Sequence, residues 1–473
     1  MNLKFGLVAL LISSFLASVV QFNFGKTEIT LEKLDTGNGQ YIYYDLYKPK
    51  IASEKNKVPF IAIIPGFQRS KEALSNIAIE LSRRGYVVGL IDPYAQGLSS
   101  SSRSRIAATT QGYGMFSLIE HVNESSDFNF INKELLGSTG HSMGGNAAIR
   151  GANYFGKKAD EQNKKSLLHS VYVSGYVLTL RDDVLKDVRS NVGVSYALYD
   201  EGSFRNELKN WDAANMKIAP ESLRTVNSGL KKEEHISEVE LGKYYGDLES
   251  NTLRVIFNEE LLHPFQPYNA EATANQLAYF ETVFGAPIKL DTYDQIWQWK
   301  EFFTLLNMII SFWLLIPLTR TLLKINFFKT LVKPIPEALP VQNGVGKTIF
   351  WSVFFISAGI ACVTFIPLVE VAKTLFPEAA TRQLTWFFPQ RMNNSVMLWA
   401  LLNGSIGILL FFVTYYFFGK KHGVKINSWG LELSFKDIYK TILLSLIIFI
   451  VYFSLLFLIS VSYTHLRAHE TLL

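Results

Sequence analysis

The chain has 473 residues, 48% hydrophobic and 14% aromatic but only 18% charged, so it is long enough for more than one domain and apolar enough to suggest a membrane. The formal charge of +5 is mild, and no basic stripe interleaved with aromatics accompanies it, which points away from nucleic acid. The only cysteine, Cys362, lies in an apolar stretch, which excludes a disulfide framework and a cysteine metal site.

In chain order, the first segment is Met1 to about Gly25. It carries one lysine, Lys4, and then runs apolar from Phe5 to Phe22, as a signal peptide or signal anchor does. Ala17-Ser18-Val19 is a poor cleavage site, so an uncleaved anchor is expected. From Lys26 to about Leu290 the composition is that of a soluble domain. Ile29–Leu34 and Tyr41–Leu46 flank Gly37-Asn38-Gly39, a hairpin signal. Val58–Ile64 is a continuous apolar run closed by Pro65-Gly66, as in a strand buried on both faces. Lys71–Arg84 is amphipathic and stops at Gly85. Tyr86–Ile91 reads as a further buried strand, Ser117–Val122 as a helix, and Leu135–Thr139 as the strand before the next motif. A helix over Asn146–Tyr154 follows. His169–Val177, Val192–Tyr199 and Thr252–Phe257 supply three more strands, and Ala270–Phe284 closes as a helix. This alternation predicts an α/β fold, a mostly parallel sheet sandwiched by helices.

The last third differs. Phe302–Leu323, Thr348–Val371, Ser395–Phe418 and Ile438–Ser460 are each near or above the roughly 20 apolar residues that span a bilayer. Four in succession, separated by charged loops, predict an all-α transmembrane domain over 296–460. Trp297, Trp299 and Lys300 stand where an interfacial anchor is expected. The first loop carries Lys324, Lys329, Lys333 and Lys347, the second Lys373, Arg382 and Arg391, and the third Lys420, Lys421, Lys425 and Lys436. That bias puts the first and third loops in the cytoplasm and the soluble domain outside. The spans are nearly free of ionisable groups. Glu370 sits near one end, and Asn307 and Asn403 are the main polar residues, expected to join helices together. An anchor or partner surface follows, rather than a transport path. The tail 461–473 resembles a translated sequencing adapter, so His465 and His469 are set aside from the chemistry.

Gly140-His141-Ser142-Met143-Gly144 lies between a strand and a helix. A serine at such a turn points its hydroxyl outward, and the flanking glycines leave room for the backbone. With Pro65-Gly66-Phe67 after the third strand, Ile91-Asp92 through Gly97 after the fourth, Asp200 after the seventh and His263 after the eighth, residues 26–295 resemble the α/β-hydrolase superfamily. The order Ser, Asp, His is the order that fold uses. The resemblance implies a serine hydrolase of carboxylesterase type that works without metal or organic cofactor. Ser142 is the expected nucleophile, which needs a base to remove its proton. His263 is that base. His141, His121, His169, His235 and His422 are each worse placed, His141 because its direction on the turn should be wrong. Asp200 is the expected orienting acid, with Glu201 as the alternative; Asp92 reads as structural. Backbone N–H groups of Met143 and Phe67 are the expected oxyanion donors, although Pro65-Gly66 stands where many relatives carry His-Gly. Gly202–Ser250 is either a solvated helical insertion or a cap over an acyl pocket.

The expectation is a membrane-anchored, extracytoplasmic hydrolase of a small-molecule or lipid-like ester, thioester or amide. A membrane sensory or interaction protein with a hydrolase-like binding domain is the rival, and a serine peptidase or acyltransferase is the alternative within enzymes.

Overall fold

The computed structural model describes residues 3–465 except 337, 342, 381–390 and 430–434. It falls into two compact units, a sheet unit over Phe15–Phe303 and a helical unit built from the first residues and from Thr304 onward.

In the sheet unit, β1 (Thr27–Gly37) and β2 (Gln40–Pro49) form the expected hairpin, each longer than its apolar core implied. Its turn uses Asn38 and Gly39 at φ 55° and 72°, the left-handed pair that a two-residue hairpin demands. β3 (Val58–Ile64) and β4 (Val87–Ile91) are buried along their whole length. β5 (Ile131–His141), β6 (Ser170–Ser174), β7 (Asn191–Ala197) and β8 (Arg254–Glu259) complete one sheet of order β1-β2-β4-β3-β5-β6-β7-β8. β1 pairs antiparallel with β2, and β2 with β4; every other pairing is parallel. Strand β3 shows why both faces need cover: Phe60, Ala62 and Ile64 enter one apolar cluster, Ile61 and Ile63 the other. The first cluster takes Leu118 of α2 (Met115–Glu124) and Ile149 and Phe155 of α3 (Met143–Gln162). The second takes Ile77 and Leu81 of α1 (Ser75–Arg83), and Leu277 and Phe280 of α4 (Ala270–Phe284). This is the α/β-hydrolase fold that the motifs implied.

Two local expectations change. Lys71–Arg84 is not one helix: Lys71–Leu74 is a 3₁₀ turn and α1 begins at Ser75. The Lys71 N–H is taken by Asp92 Oδ1 at 2.8 Å, and its ammonium is buried between Asp45 at 3.4 Å and Glu72 at 2.9 Å, which fixes the turn in a non-α geometry. Gly202–Ser250 contains a single eight-residue α-helix, Pro220–Asn227, among 3₁₀ turns. Ala214, Met216, Ala219, Val226 and Val239 sink into the main core, so the segment is packed on the sheet unit rather than solvated throughout.

Among the described residues, five helices are long and apolar enough to cross a membrane: Leu3–Gln21, Trp297–Leu322, Gly344–Leu375, Asn393–His422 and Ile438–Phe457. They are compatible with integral insertion and include the four expected C-terminal spans. Within the helical unit, Trp399 Nε1 donates to the Ala361 carbonyl at 2.8 Å, joining two of them. Asn403 bonds within its own helix, where its amide donates to Trp399 O one turn back, at 2.8 Å. Glu370 pairs with Lys373, at 2.5 Å. Trp299 is exposed, but Trp297 and Lys300 are buried in the sheet unit, where Lys300 Nζ bonds Ser75 Oγ at 3.1 Å. That pair therefore serves packing rather than a lipid interface. Arg382 and tail residues 466–473 lie outside the described residues.

Candidate active site

Ser142 stands between the end of β5 and the start of α3, with φ 58° and ψ −122°. A residue with a Cβ rarely adopts that conformation, which costs about 1–3 kcal/mol and persists only where the surroundings enforce it. They do so here. Ser142 N–H donates to Ser174 O at 2.8 Å, and Asn146 N–H returns to Ser142 O at 3.1 Å. A Cβ at Gly144 would collide with the carbonyl of Ile64, so the helix passes close under β3 only because that position is glycine.

The turn after β3 borders the same serine. A Cβ built on Gly66 would sit 3.1 Å from Ser142 Cβ and 3.8 Å from Ser142 Oγ. Phe67 follows it, half-buried. Met143 opens α3, and the first N–H groups of a helix have no intrahelical acceptor. Both expected donors thus belong to segments adjoining Ser142. The β3 turn is fixed from below by Asp92, which accepts from Lys71 N–H and, at 3.1 Å, from Leu98 N–H. Burial pushes the Asp92 carboxyl up to about 6, against the lowering effect of Lys71.

β7 and β8 continue pairing beyond their ends. Leu198 N–H donates to Glu259 O at 2.8 Å, and Tyr199 N–H to Leu261 O at 3.1 Å. Asp200 follows Tyr199 directly, His263 stands two residues after Leu261, and His263 Nδ1 lies 2.9 Å from Asp200 Oδ2. Asp200 is buried, and its Oδ1 accepts the Gly202 N–H at 2.6 Å. Burial raises its pKa, but hydrogen bonding and charge from His263, the Gly202 N–H and the Tyr196 hydroxyl outweigh that and hold it below the usual carboxylate range. Glu201 is exposed, and no hydrogen bond or ion pair joins it to His263 among the described residues. His263 opens a short 3₁₀ helix, His263–Tyr268, instead of lying in a plain loop.

His263 faces the nucleophile turn through His141, with ring centroids 4.5 Å apart. No hydrogen bond joins the Ser142 hydroxyl to the His263 ring among the described residues. Catalytic contacts in an empty site are commonly loose and tighten around a substrate. The other histidines lie elsewhere: His121 packs on Phe128, His169 on Phe284, and His235 is exposed.

Three supporting residues carry no sequence signal. Gln266, on the same short helix as His263, donates to Ser195 Oγ at 2.5 Å and to Glu259 Oε2 at 3.2 Å. Glu259 also accepts from Ser195 and Asn275, and burial raises its pKa. His141 is buried beneath the turn. Only tertiary placement distinguishes these from surface polar residues. No cluster of His, Cys, Asp or Glu with metal-binding geometry occurs among the described residues.

Residues 13–201 match the family described as PETase: PET hydrolase-like. The match takes in Ser142 and Asp200 and stops before His263. No curated protein matches the chain. Solved structures similar to it include a dienelactone hydrolase from Anabaena variabilis, 14% identical, with 55% of this chain and 99% of that one covered at a TM-score of 0.35. An esterase from Pyrococcus furiosus is 10% identical, with 55% and 93% covered at 0.37. The α/β hydrolase GrgF from a Penicillium species is 12% identical, with 54% and 99% covered at 0.36.

Proposed function

We propose that the chain is a serine hydrolase that cleaves an ester, thioester or amide through an acyl-enzyme, with esters first. The observation that carries the reading is the Asp200–His263 pair set beside a serine held in a strained turn. His263 Nε2 takes the Ser142 proton as Oγ bonds the carbonyl carbon. Asp200 fixes the Nδ1–H tautomer and stabilises the imidazolium. The Met143 and Phe67 N–H groups receive the developing oxyanion, worth about 10²–10³ in rate for one such donor. Collapse breaks the bond to the leaving group, which carries off the proton from His263. Water, deprotonated by the same ring, then releases the acid and restores Ser142.

Exposed apolar side chains flank both members of the pair. Tyr199 precedes Asp200, Phe204 follows it and packs edge-on against Trp211 at 5.2 Å, and Leu262 and Phe265 bracket His263. A rim of this kind favours an ester with an apolar acyl or alcohol part. The match to a PET hydrolase-like family adds weight to an ester. In this reading residues 1–25 are a signal anchor or signal peptide, 26–295 form the hydrolase outside the cytoplasm, and 296–460 are a transmembrane domain of the plasma membrane.

A binding domain without turnover is the second reading, favoured by the absent hydrogen bond between Ser142 and His263. Activity-based labelling separates the two. Ser142→Ala in the full chain is expected to abolish p-nitrophenyl ester turnover and fluorophosphonate labelling with folding retained. Equal labelling of both proteins removes the mechanism.

A further inference from the structure

His141 is the residue before Ser142 in the chain, 7% exposed, and its ring lies against that of His263 with the planes 38° apart. Its Nε2 is buried with no partner among the described residues. One imidazole therefore lies against the ring of the other and limits how that ring can turn.

The space on the far side of His141 is equally constrained. A Cβ built on Gly175 would lie 2.8 Å from His141 Nε2 and 2.9 Å from Gln266 Oε1, which is also buried and unpartnered. Gln266 cannot turn its amide over without taking its donor from Ser195 and Glu259. The two atoms border a cavity of about 20 Å³, also lined by Thr139, Ser174 and Thr273. That is room for one water, which can bond both. Asp200 favours a protonated His141 but is outweighed. Burial, with the nearby His263 and Arg69, pushes the ring's pKa down to about 3. The face presented to His263 is thus uncharged across the working pH range. A second cation at that separation would oppose the imidazolium that acyl transfer requires.

We propose that His141 is a positioning residue that fixes the His263 ring between Asp200 and Ser142. The inference rests on the acyl-transfer reading above. The charged and titratable groups around the pair are Asp200 after β7, Arg69 on the turn after β3, and Tyr268 on the His263 helix.

The test uses the full chain in detergent with p-nitrophenyl butyrate. His141→Ala removes the ring that lies against His263; His141→Phe keeps a ring there. The Ala variant is expected to lose about tenfold in kcat with KM changed less than about twofold. The acid limb of its kcat/KM profile is expected to move to lower pH by about half a unit or more, because a loosened Asp200 contact stabilises the imidazolium less. The Phe variant is expected to recover most of both. Should the Ala protein not accumulate, His141→Leu, which has no planar ring, reads the same limb. A wild-type limb and kcat in the Ala or Leu variant overturns the proposal. So does equal impairment of the Ala and Phe variants with an unmoved limb and a lower melting temperature, since that marks a purely structural role. Ser142→Ala is run alongside: turnover surviving there fails the nucleophile itself, which is a different failure.

Discussion

Tyr199 donates its backbone N–H to the carbonyl of Leu261 at 3.1 Å, one residue before Asp200 and two before His263. The last rung of the β7–β8 ladder is therefore also what brings an acid and an imidazole, 63 residues apart in the chain, into contact. Backbone pairing sets the approach, and the side chains finish it.

The acid can be assigned by substitution. Asp200→Asn is expected to reduce kcat by about 10³–10⁴ with little change in KM, the loss that follows when the tautomer of the base is no longer held. Glu201→Gln, on the exposed neighbour, is expected to leave p-nitrophenyl ester turnover at the wild-type level. The opposite ranking reassigns the acid.

The same carboxylate gives a pH signature. Its pKa lies below the unfolded value, so its contribution to stability is present above the unfolded carboxylate pKa and is lost as pH falls through the folded one. The wild-type melting temperature is expected to fall below about pH 4 more steeply than that of Asp200→Asn. Parallel curves for the two proteins count against the contact.

Asp45 works in the other direction. Burial pushes its carboxyl up to about 7, beyond what Lys71 can offset. Its favourable contribution is full below the unfolded pKa and is lost as pH rises towards 7. Three acids, Asp45, Glu72 and Asp92, act on the single buried ammonium of Lys71. Asp45→Asn is expected to be neutral or stabilising at pH 8 and destabilising at pH 5 relative to wild type, read as melting temperature across that range. Destabilisation of equal size at both values removes the argument.

The supporting shell behind His263 should affect turnover without touching substrate. Gln266→Leu removes the donor to Ser195 and Glu259 and leaves buried polar atoms unpaired, at a cost of about 1–3 kcal/mol. A lower melting temperature and a reduced kcat are expected together, with KM nearly constant. An unchanged kcat at the lower stability shows that the His263 helix is held by other contacts.

The apolar rim predicts a dependence on acyl length. Trp211 is 89% exposed and rests edge-on against Phe204. Trp211→Ala is expected to raise KM about three- to tenfold for long-chain p-nitrophenyl esters and to leave the acetate ester nearly unaffected. Equal effects on both esters place the aromatic pair outside the acyl path.

Much of the sheet unit is legible in the sequence, for physical reasons. Strands such as Val58–Ile64 are buried on both faces, so they read as unbroken apolar runs, and Gly140 and Gly144 mark a turn that only small residues permit. Asp200 and His263 follow from strand order, since each leaves the same end of the sheet. What the sequence does not carry is the partner of a buried polar side chain. Lys71 looks like the first residue of an amphipathic helix, and only the approach of Asp45 and Asp92 from two other strands turns it into the core of a charge cluster. His141 reads as a bystander on the turn because its neighbour is 122 residues further along. Trp297 and Lys300 carry the composition of a headgroup anchor, yet the surface of α1 claims them first.

The left-handed backbone of Ser142 has one more implication. Glycine would occupy that conformation without penalty, so Ser142→Gly should make the fold more robust while removing the hydroxyl that the proposed mechanism needs. Selection for heat resistance alone would favour that exchange, and a hydroxyl kept here in a lineage would itself argue for the proposed turnover rather than for mere recognition.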